Sequence, residues 1–319
     1  MSSLLIALLV LLVLVVLVVA GLIVFTAMTA RAVEKALPRR GIFVEIDGNR
    51  IHYVDKGDGP AIVMIHGLGG QMGNFTHSLL DLLTGEFRVI VIDRPGAGYS
   101  TRAPGASARL KVQGDVLAKF IRSMGLKRPL LVGHSLGGAI ALSIALDHPE
   151  CVGGLALIAP LTHVAKTVPA PFGILAIGSK TLRRLVAWTV ATPAGILRGK
   201  EALATVFRPD APPADFATKG GGLLSLRPRS FFAASSDMMA VGEDLPGMID
   251  RYASITAPIS MLFGTDAGIV DYRKHGVAMK ERIATLNLEL IPGGHMLPVS
   301  AAKKTAEWLA VAARRRAIS

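Results

Sequence analysis

The chain has 319 residues, 51% of them hydrophobic, enough for one large domain with an insertion or for two small ones. Thirty-five lysines and arginines face 23 acidic residues, a formal charge of +12, but aromatics are only 5% and there is no zinc-ligand spacing, helix-turn-helix signal or aromatic-basic interleaving. Nucleic acid is thereby set aside as a partner, anionic lipid head groups suit the charge, and the single cysteine, Cys151, excludes an intramolecular disulfide.

From Leu4 to Met28 no residue is charged. About 25 residues at roughly 1.5 Å each reach across a hydrocarbon core of roughly 30 Å, so the stretch predicts a transmembrane helix. Ala30-Arg31-Ala32 has the form of a signal-peptide cleavage site, yet Met1-Ser2-Ser3 is not a basic start and the apolar stretch is too long for that reading. Arg31, Lys35, Arg39 and Arg40 follow, with only Glu34 against them, until Pro38 stops the helix. Residues 1–40 are therefore expected to be a single-pass anchor with a basic juxtamembrane helix, in a bacterial inner or plasma membrane. The side on which the bulk of the chain lies stays open.

Gly41 to Ile46 and Ile51 to Val54 alternate around Asp47-Gly48-Asn49-Arg50, a predicted hairpin. Continuous apolar runs follow at Ala61 to Ile65, Arg88 to Ile92, Leu130 to Val132, Gly154 to Ile158, Ile259 to Phe263 and Leu286 to Ile291, separated by helix-like segments. Runs without alternation mean strands covered on both faces, as in a mostly parallel sheet between helices. The interval from Leu161 to about Tyr252 breaks the rhythm. It holds no convincing strand, carries Pro169, Pro171, Pro193, Pro209, Pro212 and Pro213, and reads as an inserted helical cap whose stripe Leu182, Leu185, Val186 and Thr189 is expected to pack inward, with membrane contact as the alternative. Gly220-Gly221-Gly222 is either a hinge or a surface loop.

Chemistry gathers in three glycine-rich stretches. Gly133-His134-Ser135-Leu136-Gly137-Gly138, between an apolar strand and a helical pattern, is a nucleophile elbow whose glycines relieve collisions around Ser135. His66-Gly67-Leu68-Gly69-Gly70 follows a strand and offers backbone donors, so the amides of Leu68 and Leu136 are the predicted oxyanion hole. His66 reads as a structural hydrogen-bonder and His134 as pointing off the elbow. In Pro292-Gly293-Gly294-His295, after the last strand, His295 is the expected base.

Together with Asp93-Arg94-Pro95-Gly96-Ala97-Gly98-Tyr99-Ser100, these motifs make the chain resemble the α/β-hydrolase superfamily from roughly Ile42 to Leu309. The resemblance implies a hydrolase core in residues 41–160 and 253–319, a cap in residues 161–252, and a structural rather than catalytic role for Asp93. Ser135 in the elbow disfavours members with a nucleophilic aspartate. The family usually places its acid at the third position after the strand-ending glycine, but Gly264-Thr265-Asp266-Ala267-Gly268 has alanine there. Asp266, one residue early, is the favoured acid of a Ser135-His295-Asp266 triad, and Asp271 is its rival.

The expectation is a membrane-anchored serine hydrolase, similar in arrangement to membrane-bound bacterial esterases and lipases. It would cleave lipophilic carboxylic esters through an acyl-enzyme, with membrane lipids as partners and no metal or cofactor. A haloperoxidase-like or carbon-carbon bond hydrolase with the same triad, and a catalytically silent binder of a hydrophobic ligand, are the alternatives.

Overall fold

Neighbouring residues of each central strand serve two different cores. In the structure, a computed structural model that describes residues 2–164 and 170–316, Val63, Ile65, Ile90, Ile92 and Leu131 belong to one buried cluster. Ile62, Met64, Val89, Val91, Leu130 and Val132 belong to another. This division explains why the strands are apolar throughout.

The strands are β1 (Ile42–Ile46), β2 (Asn49–Lys56), β3 (Ala61–Ile65), β4 (Arg88–Ile92), β5 (Leu130–His134), β6 (Gly154–Ile158), β7 (Ile259–Gly264) and β8 (Asn287–Ile291). They form one sheet in the order β1-β2-β4-β3-β5-β6-β7-β8. The β1–β2 and β2–β4 pairs are antiparallel and the rest parallel. The hairpin turn is tighter than its sequence suggests: Asn49 already pairs with Ile46, leaving Asp47 and Gly48 at φ 48° and 73°. Two successive positive φ values match the twist of the strands they join.

Among the longer helices, α1 (Ser3–Ala36) precedes the sheet, while α2 (Leu110–Ser123) and α3 (Leu136–Asp147) cover one face. Between β6 and β7 the described residues form no strand; they include α4 (Lys180–Trp188), α5 (Ala191–Phe207) and α6 (Pro228–Arg251). Helix α7 (Ala302–Arg316) covers the other face through Trp308 and Leu309. Pro169 lies outside the described residues. The stripe closes inward only in part: Thr189 is buried and Val186 partly so, but Leu182 and Leu185 are about half exposed, and the following residues add Trp188, Val190, Ile196 and Leu197 to the exposed set.

Only Thr26 and Val33 of α1 are buried. It is the one helix among the described residues long and apolar enough to cross a membrane. Its carboxyl end is held on the domain: Val33 packs with Tyr99 and Leu224, Glu34 pairs with Arg227 at 3.1 Å, and the Tyr99 hydroxyl donates to the Leu37 carbonyl.

Asp93, just beyond β4, ties three segments together. Its carboxylate accepts from the amides of Met72 and Tyr99 and from His52 Nδ1, each at 2.8 Å. Burial alone would raise its pKa, but the hydrogen bond from His52 and the neighbouring imidazoles and amides hold it below the ordinary carboxylate value. Asp93→Asn turns an acceptor into a donor facing these N–H groups. It is expected to cost about 2–4 kcal/mol, read as a fall in the urea midpoint at pH 7.

Candidate active site

The turn from β5 into α3 leaves no room for side chains on either side of Ser135. A Cβ on Gly133 would lie 2.5 Å from Gly138 Cα and 2.6 Å from the Gly137 oxygen, and one on Gly137 would overlap the carbonyl of Ile65 at the end of β3. Ser135 itself sits at φ 54°, ψ −120°, a conformation that costs a non-glycine residue about 1–3 kcal/mol. It is held there by bonds from its amide to the Ile158 carbonyl at 3.0 Å and to its carbonyl from Gly138 and Leu161 at 2.9 and 3.0 Å. The side chain is partly exposed and its hydroxyl makes no hydrogen bond among the described residues.

The loop after β3 lies directly on the elbow, for a Cβ on Gly67 would be 3.0 Å from Ser135 Cβ. Leu136, first residue of α3, has no intrahelical acceptor for its amide, and the Leu68 amide has none among the described residues. His66 Nδ1 donates to the Gly67 carbonyl at 2.9 Å and its Nε2 accepts from the Arg94 amide at 3.1 Å. Both ring nitrogens are thus engaged, and burial with the Arg94 charge pushes His66 down to about 3. Arg94, fully buried, donates from Nε to the His66 carbonyl and from Nη2 to the Gly67 carbonyl, both at 3.0 Å.

The loop after β8 approaches from the other side. Gly293 adopts φ 133°, and a Cβ on Gly294 would overlap the Arg208 carbonyl beyond α5. His295 follows, buried, with its ring centroid 4.7 Å from that of His134. His134 Nε2 donates to the His295 carbonyl at 3.0 Å, which fixes the neutral Nε2–H tautomer of His134. Its ring therefore points off the elbow and packs under the loop that carries His295. Burial first, then His134 and His275, lower the His295 pKa well below 6.5. Its Nδ1 is buried without a hydrogen-bond partner.

The two candidate acids are near these loops but not on His295. Asp266 is exposed, exchanges bonds with Gly293 at 3.0 and 3.1 Å, and accepts from Thr265 Oγ1 at 3.1 Å. Asp271 is exposed and accepts from the Arg273 amide at 2.9 Å. The structure thus joins Asp266 to the His295 loop through the backbone of Gly293, and leaves Asp271 on the turn that carries His275. His275 carries no motif, and its segment suggests no more than a surface or packing role. It is buried in the π-helical turn Arg273–Val277, and its Nδ1 accepts from the amides of Thr162 and His163 at 3.1 and 3.3 Å. Burial, with His163 and Lys274, pushes it down to about 4. No group of three or more metal-ligating side chains occurs among the described residues.

Residues 60–301 match the family model described as alpha/beta hydrolase fold. The chain belongs to this family. Curated relatives include the dihydrolipoyllysine-residue acetyltransferase component of the acetoin cleaving system of Cupriavidus necator, 36% identical over 120 residues, which are 37% of this chain and 32% of that protein. A 2-hydroxy-6-oxononadienedioate/2-hydroxy-6-oxononatrienedioate hydrolase of Burkholderia vietnamiensis is 39% identical over 113 residues, 34% of this chain and 39% of the relative. The chain thus spans about a third of the length of these relatives. Among solved structures, a membrane phospholipase A described as a bacterial virulence factor is similar over 100% of both chains, with a TM-score of 0.68 and 25% identity. A thermophilic esterase from Thermogutta terrifontis matches 86% of this chain and 99% of its own, with a TM-score of 0.69 and 23% identity, which shows the fold.

Buried neutral imidazoles make stability depend on pH. In the unfolded chain His134 and His275 take up protons near pH 6.5, whereas in the folded chain both do so only near 4. The unfolded state therefore binds more protons between these values, and stability is lost as pH falls from about 6.5 towards 4. Unfolding free energies from urea titrations are expected to fall steadily over that window, by roughly 2 kcal/mol per imidazole at pH 5. His275→Gln is expected to flatten the slope.

Proposed function

We propose that the chain is a serine hydrolase of lipophilic carboxylic esters, acting at a membrane through an acyl-enzyme. The observation that carries this reading is the juxtaposition of a serine on a strained elbow, a glycine loop with free amides against it, and a buried neutral histidine beside the same elbow. Ser135 Oγ attacks the ester carbonyl while His295 takes its proton, and the amides of Leu68 and Leu136 receive the oxyanion. His295 then passes the proton to the leaving alcohol, and water repeats the sequence on the acyl-enzyme. Asp266 is the acid of this scheme: its carboxylate, freed from the Gly293 amide two residues before His295, would supply the acceptor that His295 Nδ1 lacks.

A membrane and a lipid substrate are favoured by two features that meet at α1 and by one comparison. Helix α1 is apolar over most of its length and its carboxyl end is held by Arg227 and Tyr99. Helices α4 and α5 contact α1 and expose Leu182, Leu185, Ile196 and Leu197. Likeness to a membrane phospholipase A extends over the whole chain, α1 included. The second reading is carbon-carbon bond hydrolysis, favoured by the relatives named for 2-hydroxy-6-oxo dienoate substrates. The same nucleophile, base and oxyanion donors serve it.

Hydrolysis of p-nitrophenyl esters from acetate to palmitate by the intact protein in detergent is expected to peak at medium or long chains and to vanish in Ser135→Ala. A peak at acetate would make it a small-ester hydrolase. No turnover above the alanine variant would move carbon-carbon bond cleavage ahead. Leu185→Ser combined with Leu197→Ser is expected to lower the rate on phospholipid vesicles at least several-fold and to leave the rate on a soluble short ester unchanged, compared side by side on one preparation.

A further inference from the structure

The buried guanidinium of Arg94 has two faces. One holds the carbonyls of His66 and Gly67, each at 3.0 Å. The other meets Gln113 Oε1 at 2.7 Å and the carboxylate of Asp237 at 2.8 Å. Asp237 belongs to α6, in the inserted segment, and is 2% exposed. Its second oxygen accepts from Arg102 at 2.6 Å.

A trans peptide is planar, so the Gly67 carbonyl and the Leu68 N–H point in opposite directions from one rigid unit. Holding the carbonyl on Arg94 and His66 therefore sets the direction of the Leu68 N–H and polarises it as a donor. Arg94 in turn is a fully buried charge. Its pairing with Asp237 is what makes that position tolerable, because a buried charge that loses its partner is strongly destabilised or moves. A second strand of the same connection is Gln71, immediately after the loop, whose Nε2 donates to the Gly220 carbonyl in the inserted segment.

We propose that Asp237 is a positioning residue for the oxyanion hole: seating of α6 sets the aim of the Leu68 amide through Asp237, Arg94 and the Gly67 peptide. The inserted segment thus acts on the transition state as well as on access to the site. This inference rests on the ester-hydrolase reading above for its catalytic consequence, but the mechanical coupling does not.

The test compares Asp237→Asn with Arg102→Ala, which removes a salt bridge to the same carboxylate from a side chain that does not touch the loop. Asp237→Asn is expected to lower kcat on a p-nitrophenyl ester by about 10- to 100-fold with KM within about twofold, a partial loss of one oxyanion donor. Affinity for a trifluoromethyl ketone should fall by the same factor. Amide hydrogen exchange, which needs no turnover, should quicken in residues 66–71 of Asp237→Asn and stay at the wild-type rate there in Arg102→Ala. If both variants lose activity in proportion to lost thermal stability, or if exchange in residues 66–71 is unchanged by Asp237→Asn, the proposal is overturned. Absence of Ser135-dependent turnover in the wild type would refute the ester-hydrolase reading alone, with the exchange measurement still deciding the coupling.

Discussion

Where β3, β5 and α3 meet, backbone touches backbone, and the rest of the site depends on that approach. Gly133, Gly137 and Gly138 stand where any Cβ would strike Gly138, the Ile65 carbonyl or Pro160. Only this closeness lets Ser135 hold its positive φ while its carbonyl accepts two amides and its neighbour's amide opens the helix. The strain of about 1–3 kcal/mol is small against the packing of strands whose residues are almost all fully buried. Rigidity of the sheet is thus converted into a fixed position for one hydroxyl.

Around that point the molecule keeps its imidazoles neutral and its charges paired. His66, His134, His275 and His295 are all buried and all shifted towards the uncharged form by desolvation. The fully buried charges beside the loop, Arg94 and Asp237, satisfy each other. Taking such a pair out of water is expensive, and well-packed apolar residues of similar size would often be at least as stable. The pair's geometry, with two of its hydrogen bonds on consecutive carbonyls of the loop, is what distinguishes it from a mere stabilising contact.

Much of the fold was legible because burial on both faces writes itself into the sequence as unbroken apolar runs, and glycines mark the places where backbones meet. The strands Ala61–Ile65, Arg88–Ile92 and Gly154–Ile158 lie where the pattern puts them. Long-range side-chain pairing was not legible. Nothing local to Arg94 announces Asp237, far along the chain, and nothing in Gly133-His134-Ser135 tells that the histidine bonds the carbonyl of His295. The α4 stripe misled for a related reason: periodicity shows that one face is apolar and leaves unsaid whether protein covers it, and half of each of Leu182 and Leu185 stays open. The acid was ambiguous because its position depends on loop register, which a one-residue shift after Gly264 changes without altering composition.

Gly294 is packed so closely under the chain beyond α5 that the Arg208 carbonyl fills the space of its missing side chain, with the Phe207 carbonyl 3.0 Å away. The helical segment between β6 and β7 and the loop of His295 are therefore two halves of one mould. Exchanging this helical segment for that of another member of the family, as one would swap a cassette, would leave this loop without its roof unless the graft also reproduced the backbone path at Phe207 and Arg208. The seam between this segment and the sheet runs through the candidate site, and engineering that respects only the ends of the segment would cut across it.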